Sequence, residues 1–446
     1  MKFISNSNHL TDYLDILAPK DINIKNISTD SRTLKKDSLF IGIQGENFNG
    51  NDYVDEAVLK GACLVITDSK KYKDHKNKNI LYVNNSIYAL KKITKNILKS
   101  YRGSVIGITG SNGKTTTTKI ISKILSRSSG TIKNFNNEIG MPLSIMNADR
   151  NSKNIVIEMG ASKIGDIKYL SSILKPNIGV ITNIGNSHLE NLKDLDGVLR
   201  VKSELIKNIT KNGYLIVPGK NHKYLDYWKG IRNDINIITF GDDSSNNFYS
   251  TNEKHNSHGM VFNIISKSNN INIEIQTDLK GTHNIDNILV AYVVNYLIKE
   301  GDNSFKKKIL DINKFTSRQI QLNWINGSEL IDDTYNANPD SVKKSIDLLC
   351  DYNKRKLLIL GDMLELGSKS IYFHQEIGKY ALEKGVDFLL GFGKDSKHSV
   401  KTFRDNGFFF ESEESLKNFI KNNVKSTDAI LLKGSRGMKM ERFIDV

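Results

Sequence analysis

From Ser104 to Ser126 the chain passes from an apolar run, Ser104-Val-Ile-Gly-Ile-Thr109, through Gly110-Ser-Asn-Gly113 into Lys114-Thr115-Thr116 and a helical stretch. Strand, glycine-rich turn and helix in that order restrict the fold severely. A buried strand must deliver the start of a helix to the carboxyl edge of a sheet. The glycines let backbone N–H groups turn toward phosphate oxygens, and the helix start adds partial positive charge. Lys114 is then placed to reach the β- and γ-phosphates of ATP, and the Thr115 hydroxyl to ligate Mg2+. Gly110, Ser111, Asn112, Gly113, Lys114, Thr115 and Thr116 are the ATP-binding candidates. The strict G-x-x-x-x-G-K-[ST] spacing asks for glycine at 108, where this chain has Ile108. A glycine-rich turn followed by an incidental Gly-Lys-Thr is the competing reading, and the strand–turn–helix context favours the phosphate loop.

Further strands alternate with helical stretches on both sides of this loop. Asn154-Ile-Val-Ile-Glu158, Ile178-Gly-Val-Ile-Thr182 and Gly213-Tyr-Leu-Ile-Val217 continue the pattern, which argues for a parallel sheet covered on both faces. Residues 235–280 alternate apolar with Asn and Ser and predict antiparallel strands, closed by a helix over 284–298. Before residue 100, strands at 39–43 and 62–66 surround a helix at 53–60, and the lysine-rich run 68–79 reads as a surface loop. Beyond Ser328, strands at 329–332, 356–360, 388–390 and 429–432 resume the alternation. No fixed-period repeat is visible. At roughly 100–200 residues per domain, 446 residues allow two to four domains. The expectation is an α/β chain of three domains. A central P-loop parallel-sheet ATPase domain (103–312) lies between a smaller N-terminal α/β domain (1–102) and a C-terminal Rossmann-like α/β domain (313–446).

The formal charge is +15, which admits nucleic acid, an anionic surface or a polyanionic small substrate without choosing among them. Much of the surplus is lysine scattered among asparagines, as in Lys71 to Lys78. Cys63 and Cys350 stand far apart and no C-x-x-C pair exists, which excludes a disulfide framework and a cysteine zinc site. The first residues lack a secretory apolar core and the apolar runs are strand-length, so a cytoplasmic protein without membrane insertion is expected.

Individual residues outside the loop are less decisive. Glu158 ends a buried strand beside the phosphate-loop strand, where a carboxylate can share the loop's magnesium or serve as a cap. His188 follows a strand and fits a packing role as readily as a catalytic one. Lys202, in Arg200-Val-Lys-Ser-Glu204, reads as one lysine among many on a solvated helix face. Asn134-Phe-Asn136-Asn137-Glu138 and Asp332-Asp333-Thr-Tyr335-Asn336-Ala-Asn338-Pro339 cluster carboxamides that suit amide and sugar groups, in a chain rich in asparagine throughout.

Together these motifs resemble the Mur ligases, the ATP-dependent amide-forming enzymes of peptidoglycan synthesis and hence of cell wall biogenesis, cell shape and division. The resemblance runs from Thr29-Asp-Ser-Arg32 to Lys433-Gly-Ser-Arg436. It implies ATP and Mg2+, with Lys114, His188 and Lys202 as catalytic groups and Thr115, Glu158, His188 and a carbamylated Lys202 as metal ligands. It also implies Asn284, Asn287, Arg318 and Asp333 around the nucleotide, and Ser31 and Arg32 on the uridine diphosphate. Asn136, Asn137, Tyr335 and Asn338 become contacts for the peptide or the incoming amine. Many relatives read Asp-Gly-His where this chain has Asn49-Gly50-Asn51. Asp333-Thr-Tyr-Asn-Ala-Asn-Pro339 and Leu360-Gly-Asp-Met-Leu-Glu-Leu-Gly367 resemble the members that join D-alanyl-D-alanine to UDP-MurNAc-tripeptide, acting as a monomer. A member adding the third amino acid is the neighbouring alternative. A folylpolyglutamate synthase leaves the first domain unexplained, and a basic nucleic-acid-binding protein leaves the loop, Glu158 and His188 without a joint role.

Overall fold

The computed structural model describes residues 2–45, 48–256, 259–312 and 320–446, arranged around three β-sheets. The first sheet is β1 (Asn26–Ser28), β2 (Ser38–Ile41), β3 (Ala62–Thr67) and β4 (Ile80–Tyr82), all parallel and in that spatial order. Helix Ser86–Ser100 is capped by the Asn85 side chain, which accepts from Tyr88 N–H. It buries Ala89, Leu90, Ile93 and Ile97, the three-and-four spacing of an amphipathic helix. The lysine-rich run at 68–79 is not a loop throughout: a 3₁₀ turn at Lys70–Tyr72 drives Tyr72 into the core.

The central sheet contains β5 (Ser104–Thr109), β6 (Ser128–Gly130), β7 (Asn154–Glu158), β8 (Ile178–Ile181), β9 (Tyr214–Pro218), β10 (Asn236–Gly241), β11 (Phe248–Asn256), β12 (Gly259–Ser266) and β13 (Ile271–Thr277). Their order is β13-β12-β11-β10-β9-β8-β5-β7-β6. Within 235–280, β11 to β13 pair antiparallel as expected. β10 differs: it pairs parallel with β9, because helix His222–Ile231 makes the crossover between them. Chain order reverses at β5, which pairs with β8 on one side and β7 on the other. A ligand crevice opens at the strand carboxyl ends at such a point. Helix His283–Ile298 lies against helix Lys114–Ile124 and is buried around almost its whole circumference, so it is apolar on every side.

The third sheet has the order β14-β15-β19-β16-β17-β18. Its strands are β14 (Ile320–Asn323), β15 (Glu329–Asp333), β16 (Arg355–Gly361), β17 (Phe388–Phe392), β18 (Gly407–Phe410) and β19 (Asp428–Lys433); only the edge strand β14 runs antiparallel. The carboxyl ends of β15, β16 and β19 face the same crevice as those of β5, β7 and β8. Asn147 ties the first sheet to the central one, accepting from Ile27 N–H and from Lys2 Nζ.

Trp228, fully buried on helix His222–Ile231, donates its indole N–H to Ser203 Oγ at 2.8 Å. It thereby holds the end of helix Leu195–Ser203, which carries Lys202. Trp228→Ala leaves a cavity and removes the donor to Ser203 Oγ, whose own hydrogen bond to Leu199 O remains. We expect it to cost about 3–5 kcal/mol, read as a lowered urea midpoint; an unchanged midpoint contradicts this role.

Candidate active site

The phosphate loop is held open by two glycines and stapled from β8. Gly110 has φ 144° and Gly113 φ 79°. A Cβ at Gly110 would lie 2.0 Å from Thr182 Oγ1, and one at Gly113 2.5 Å from Asn287 Oδ1, so neither position tolerates a side chain. Thr182 Oγ1 donates to Asn112 O at 2.6 Å, and Asn112 N–H donates to Asn183 Oδ1 at 2.9 Å. Gly185 N–H donates to Ser111 Oγ, and the Ser187 hydroxyl sits 3.0 Å from the same oxygen. The residues after β8 that fix the loop were visible in the sequence only as a string following a strand. Lys114 folds back, donating from Nζ to the carbonyls of Gly110 and Ser111 at 2.8 and 3.0 Å. Its ammonium therefore waits within the loop whose phosphate it is suited to bind.

Glu158 stands in register with Ile108 on the adjoining strand and is 2% exposed. Thr115 Oγ1 donates to Oε2 at 2.8 Å and Asn136 Nδ2 to Oε1 at 2.9 Å. A buried carboxylate satisfied by neutral donors, one of them the phosphate-loop threonine, has the donor set of a hard divalent cation. The residues thus fit magnesium, although no group of three or more His, Cys, Asp or Glu is gathered for a metal among the described residues. Lys202 is 1% exposed rather than on a solvated face. Burial first, then the nearby Lys114 charge, push its pKa down to about 7, against the pull of Asp166, Glu204 and Glu158. The neutral amine that results is the form able to take up CO2.

On the nucleotide side, Asn287 accepts from Thr117 Oγ1 at 3.0 Å and donates to Asn284 Oδ1 at 2.9 Å. Helix His283–Ile298 is thereby locked to the helix that follows the loop. His283 and Asp286 line the cleft beside them. Burial lowers the imidazole pKa to about 4 and raises the carboxyl pKa to about 6, so the ring is neutral at pH 7. Neither was singled out from sequence; each sits within the motif that supplied Asn284 and Asn287.

The third sheet supplies the opposite wall. Asp333 is bound by Lys433 Nζ at 2.5 Å and by Ser345 Oγ at 2.7 Å. Asn338 caps helix Pro339–Cys350 through Ser341 and exchanges two carboxamide hydrogen bonds with Asn112 of the phosphate loop, at 2.8 and 3.3 Å. Asp340 accepts from Asn186 N–H at 2.7 Å. His188 Nδ1 lies 2.6 Å from Glu365 Oε2, a close polar contact that falls short of hydrogen-bond alignment. The contact holds the Glu365 carboxyl below its usual range. Tyr335 projects into the cleft, and Arg318 lies outside the described residues.

Most of these groups border one continuous cleft of about 1440 Å³, larger than the roughly 300–1,000 Å³ that suits one small ligand, whereas Lys202, Asn186 and Asp340 are not on its lining. The first sheet contributes Gln44, Gly45 and Phe48, whereas Ser31 and Arg32 are not on its lining. Ser31 is buried, and Arg32 reaches Asp30 in a two-pronged pair at 2.8 and 2.9 Å. Asn51 turns inward as well, bonded to Thr67, Asp68 and Asn49. Asn137 lines the cleft and accepts from Gly140 N–H at the start of helix Gly140–Met146.

The chain matches the Mur ligase middle domain over residues 108–295. It also matches the Mur ligase glutamate ligase domain over 319–436 and the Mur ligase family catalytic domain over 23–99. It is 34% identical to the UDP-N-acetylmuramoyl-tripeptide–D-alanyl-D-alanine ligase of Buchnera aphidicola (subsp. Baizongia pistaciae), over 95% of this chain and 92% of that one. The chain belongs to the Mur ligase family. Its similarity to the Bacillus subtilis ligase of the same name is 32%, over 94% and 92% of the two chains. Among solved structures, the MurF ligase of Thermotoga maritima in complex with ADP superposes with a TM-score of 0.79 at 26% identity, over 96% and 98% of the chains. MurF from Acinetobacter baumannii shares the fold with a TM-score of 0.87 at 24% identity, over 99% and 98%.

The Lys202 pKa sets a pH dependence. Between about 7 and its unperturbed 10.5 the unfolded chain binds a proton that the folded chain lacks, so folding is favoured as pH rises through that window. In CO2-free buffer, urea midpoints should move in favour of the wild type over Lys202→Met between pH 7 and about 10; parallel midpoints contradict the assignment.

Proposed function

We propose that this Mur ligase joins D-alanyl-D-alanine to UDP-N-acetylmuramoyl-tripeptide, with ATP cleaved to ADP and phosphate, to give the pentapeptide precursor of peptidoglycan. The observation that carries the reading is the cleft itself. One wall is a glycine-rich phosphate loop with a buried carboxylate, and the other walls are supplied by two further sheets. The nearly full-length relatives named for this reaction support the choice of substrates.

ATP lies with its phosphates along Gly110–Thr116 and its nucleoside end toward Asn284 and Asn287. Lys114 leaves the Gly110 and Ser111 carbonyls for phosphate oxygens, so the loop exchanges an internal contact for a charge-assisted one. Thr115 and Glu158, joined by His188 and a carbamylated Lys202, would hold magnesium, which neutralises charge on the transferring phosphoryl group. The terminal carboxylate of the tripeptide attacks the γ-phosphorus, ADP leaves, and an acyl phosphate forms. The free amine of D-alanyl-D-alanine, having lost its ammonium proton, attacks the acyl carbon. Inorganic phosphate then departs from the tetrahedral adduct. No protein nucleophile enters, in keeping with a site built of binding and orienting groups.

Asn136, Asn137, Tyr335 and Asn338, which border the cleft, are our assignments for the peptide and the dipeptide. Ser31 and Arg32 are assigned to the uridine diphosphate beyond this cleft. We further propose a cytoplasmic monomer; no described helix is long and apolar enough to cross a membrane.

The test is phosphate release by the purified chain with ATP, magnesium and UDP-MurNAc-tripeptide, with and without D-alanyl-D-alanine. Turnover should require the dipeptide, and turnover indifferent to it contradicts the substrate assignment. Lys114→Ala should lower kcat by about 10²–10³-fold. Lys202→Ala should abolish ligation, and unchanged activity dismisses its role.

A further inference from the structure

His188 and Glu365 come from different sheets and meet with both backbones in the left-handed region, at φ 54° and 63°. That conformation is disfavoured for an L-residue, so it persists where the surroundings fix it. The loop that carries Glu365 is held from three directions. Met363 N–H donates to His374 Nε2 at 3.1 Å, Leu364 N–H donates to Ser435 Oγ at 2.8 Å, and Glu190 N–H donates to Glu365 O at 3.0 Å. Gly367 approaches Glu190 so closely that a Cβ would lie 3.2 Å from its Cα. Thus the loop after β16 is fastened within its own sheet and to the helical turn that begins at His188. Its one acidic side chain at that junction reaches Nδ1.

We propose that Glu365 is a positioning residue for His188. Its carboxylate engages Nδ1, fixes the ring plane, and leaves Nε2 as the nitrogen for the phosphate end of the cleft. A carboxylate behind a functional imidazole sets ring orientation and basicity in this way. Because the two residues belong to different sheets, the ring is set only while the third sheet is docked. Docking has other fastenings that do not touch His188: Asn112 with Asn338, and Asn186 with Asp340. The inference rests on the ligase reading for the use of Nε2, but the ring geometry can be read without substrate.

The full-length enzyme is compared with Glu365→Ala, Glu365→Gln and, as a docking control, Asp340→Ala. Glu365→Ala should lower kcat about 10- to 100-fold with KM for ATP little changed. The Gln variant should recover part of the loss, since its amide oxygen keeps a polar atom of the same reach against Nδ1. In a His188→Ala background, Glu365→Ala should cost no further activity. A full loss repeated there, or wild-type kcat in Glu365→Ala, overturns the proposal. Should His188→Ala leave no measurable turnover, ¹⁵N-histidine spectra decide, with the His188 signals identified by their absence in that variant. The Nδ1 resonance should move in Glu365→Gln and stay in Asp340→Ala; one that ignores Glu365→Gln overturns the proposal even if ligation fails for other reasons.

Discussion

A carboxylate kept out of water and held by the Thr115 hydroxyl and the Asn136 carboxamide is the constraint on which the rest of the molecule turns. Glu158 is placed by the register of β7 against β5, and a slip of one residue would send its side chain to the opposite face. Thr115 reaches it because Gly113 starts the helix in a conformation that only glycine adopts comfortably. Asn136 closes the other oxygen. Burying that charge is unfavourable without compensation, which Lys202 supplies in part, so the site is organised before a nucleotide arrives and completed by what the nucleotide brings.

The third sheet is coupled to this arrangement through polar contacts at the cleft, beside an apolar core that is continuous with that of the central region. Asn338 has two roles, capping a helix within its own domain and pairing with Asn112 on the phosphate loop. Lys433, nearly fully buried, neutralises Asp333 and also bonds the carbonyl of Asn336, so the motif around Tyr335 is rigid where it faces the cleft. Contacts of this kind break and re-form more readily than a packed core, which suits a cleft that must admit two substrates and a nucleotide.

What the sequence discloses follows from how local each feature is. The phosphate loop is legible because strand, turn and helix are contiguous, and Glu158 because a strand end has few neighbours to choose from. Residue by residue Lys202 reads as solvated and only the family resemblance draws it into the site; it stands four residues after Val198, on the buried side of helix Leu195–Ser203. The Glu365–His188 pair joins residues 177 positions apart, and no pattern along the chain marks it. Tyr72 shows the same limit in reverse, a single apolar anchor hidden in a polar run. Asn51, which looked like a departure at a substrate motif, is spent on an internal network with Thr67 and Asp68.

The chemistry implied by this cleft is direct attack of a substrate carboxylate on ATP, with the protein confined to holding and orienting. Following ¹⁸O from the labelled terminal carboxylate of UDP-MurNAc-tripeptide through one round of ligation tests that most directly. Transfer of one labelled oxygen into inorganic phosphate is the expected result; phosphate released without label would contradict it.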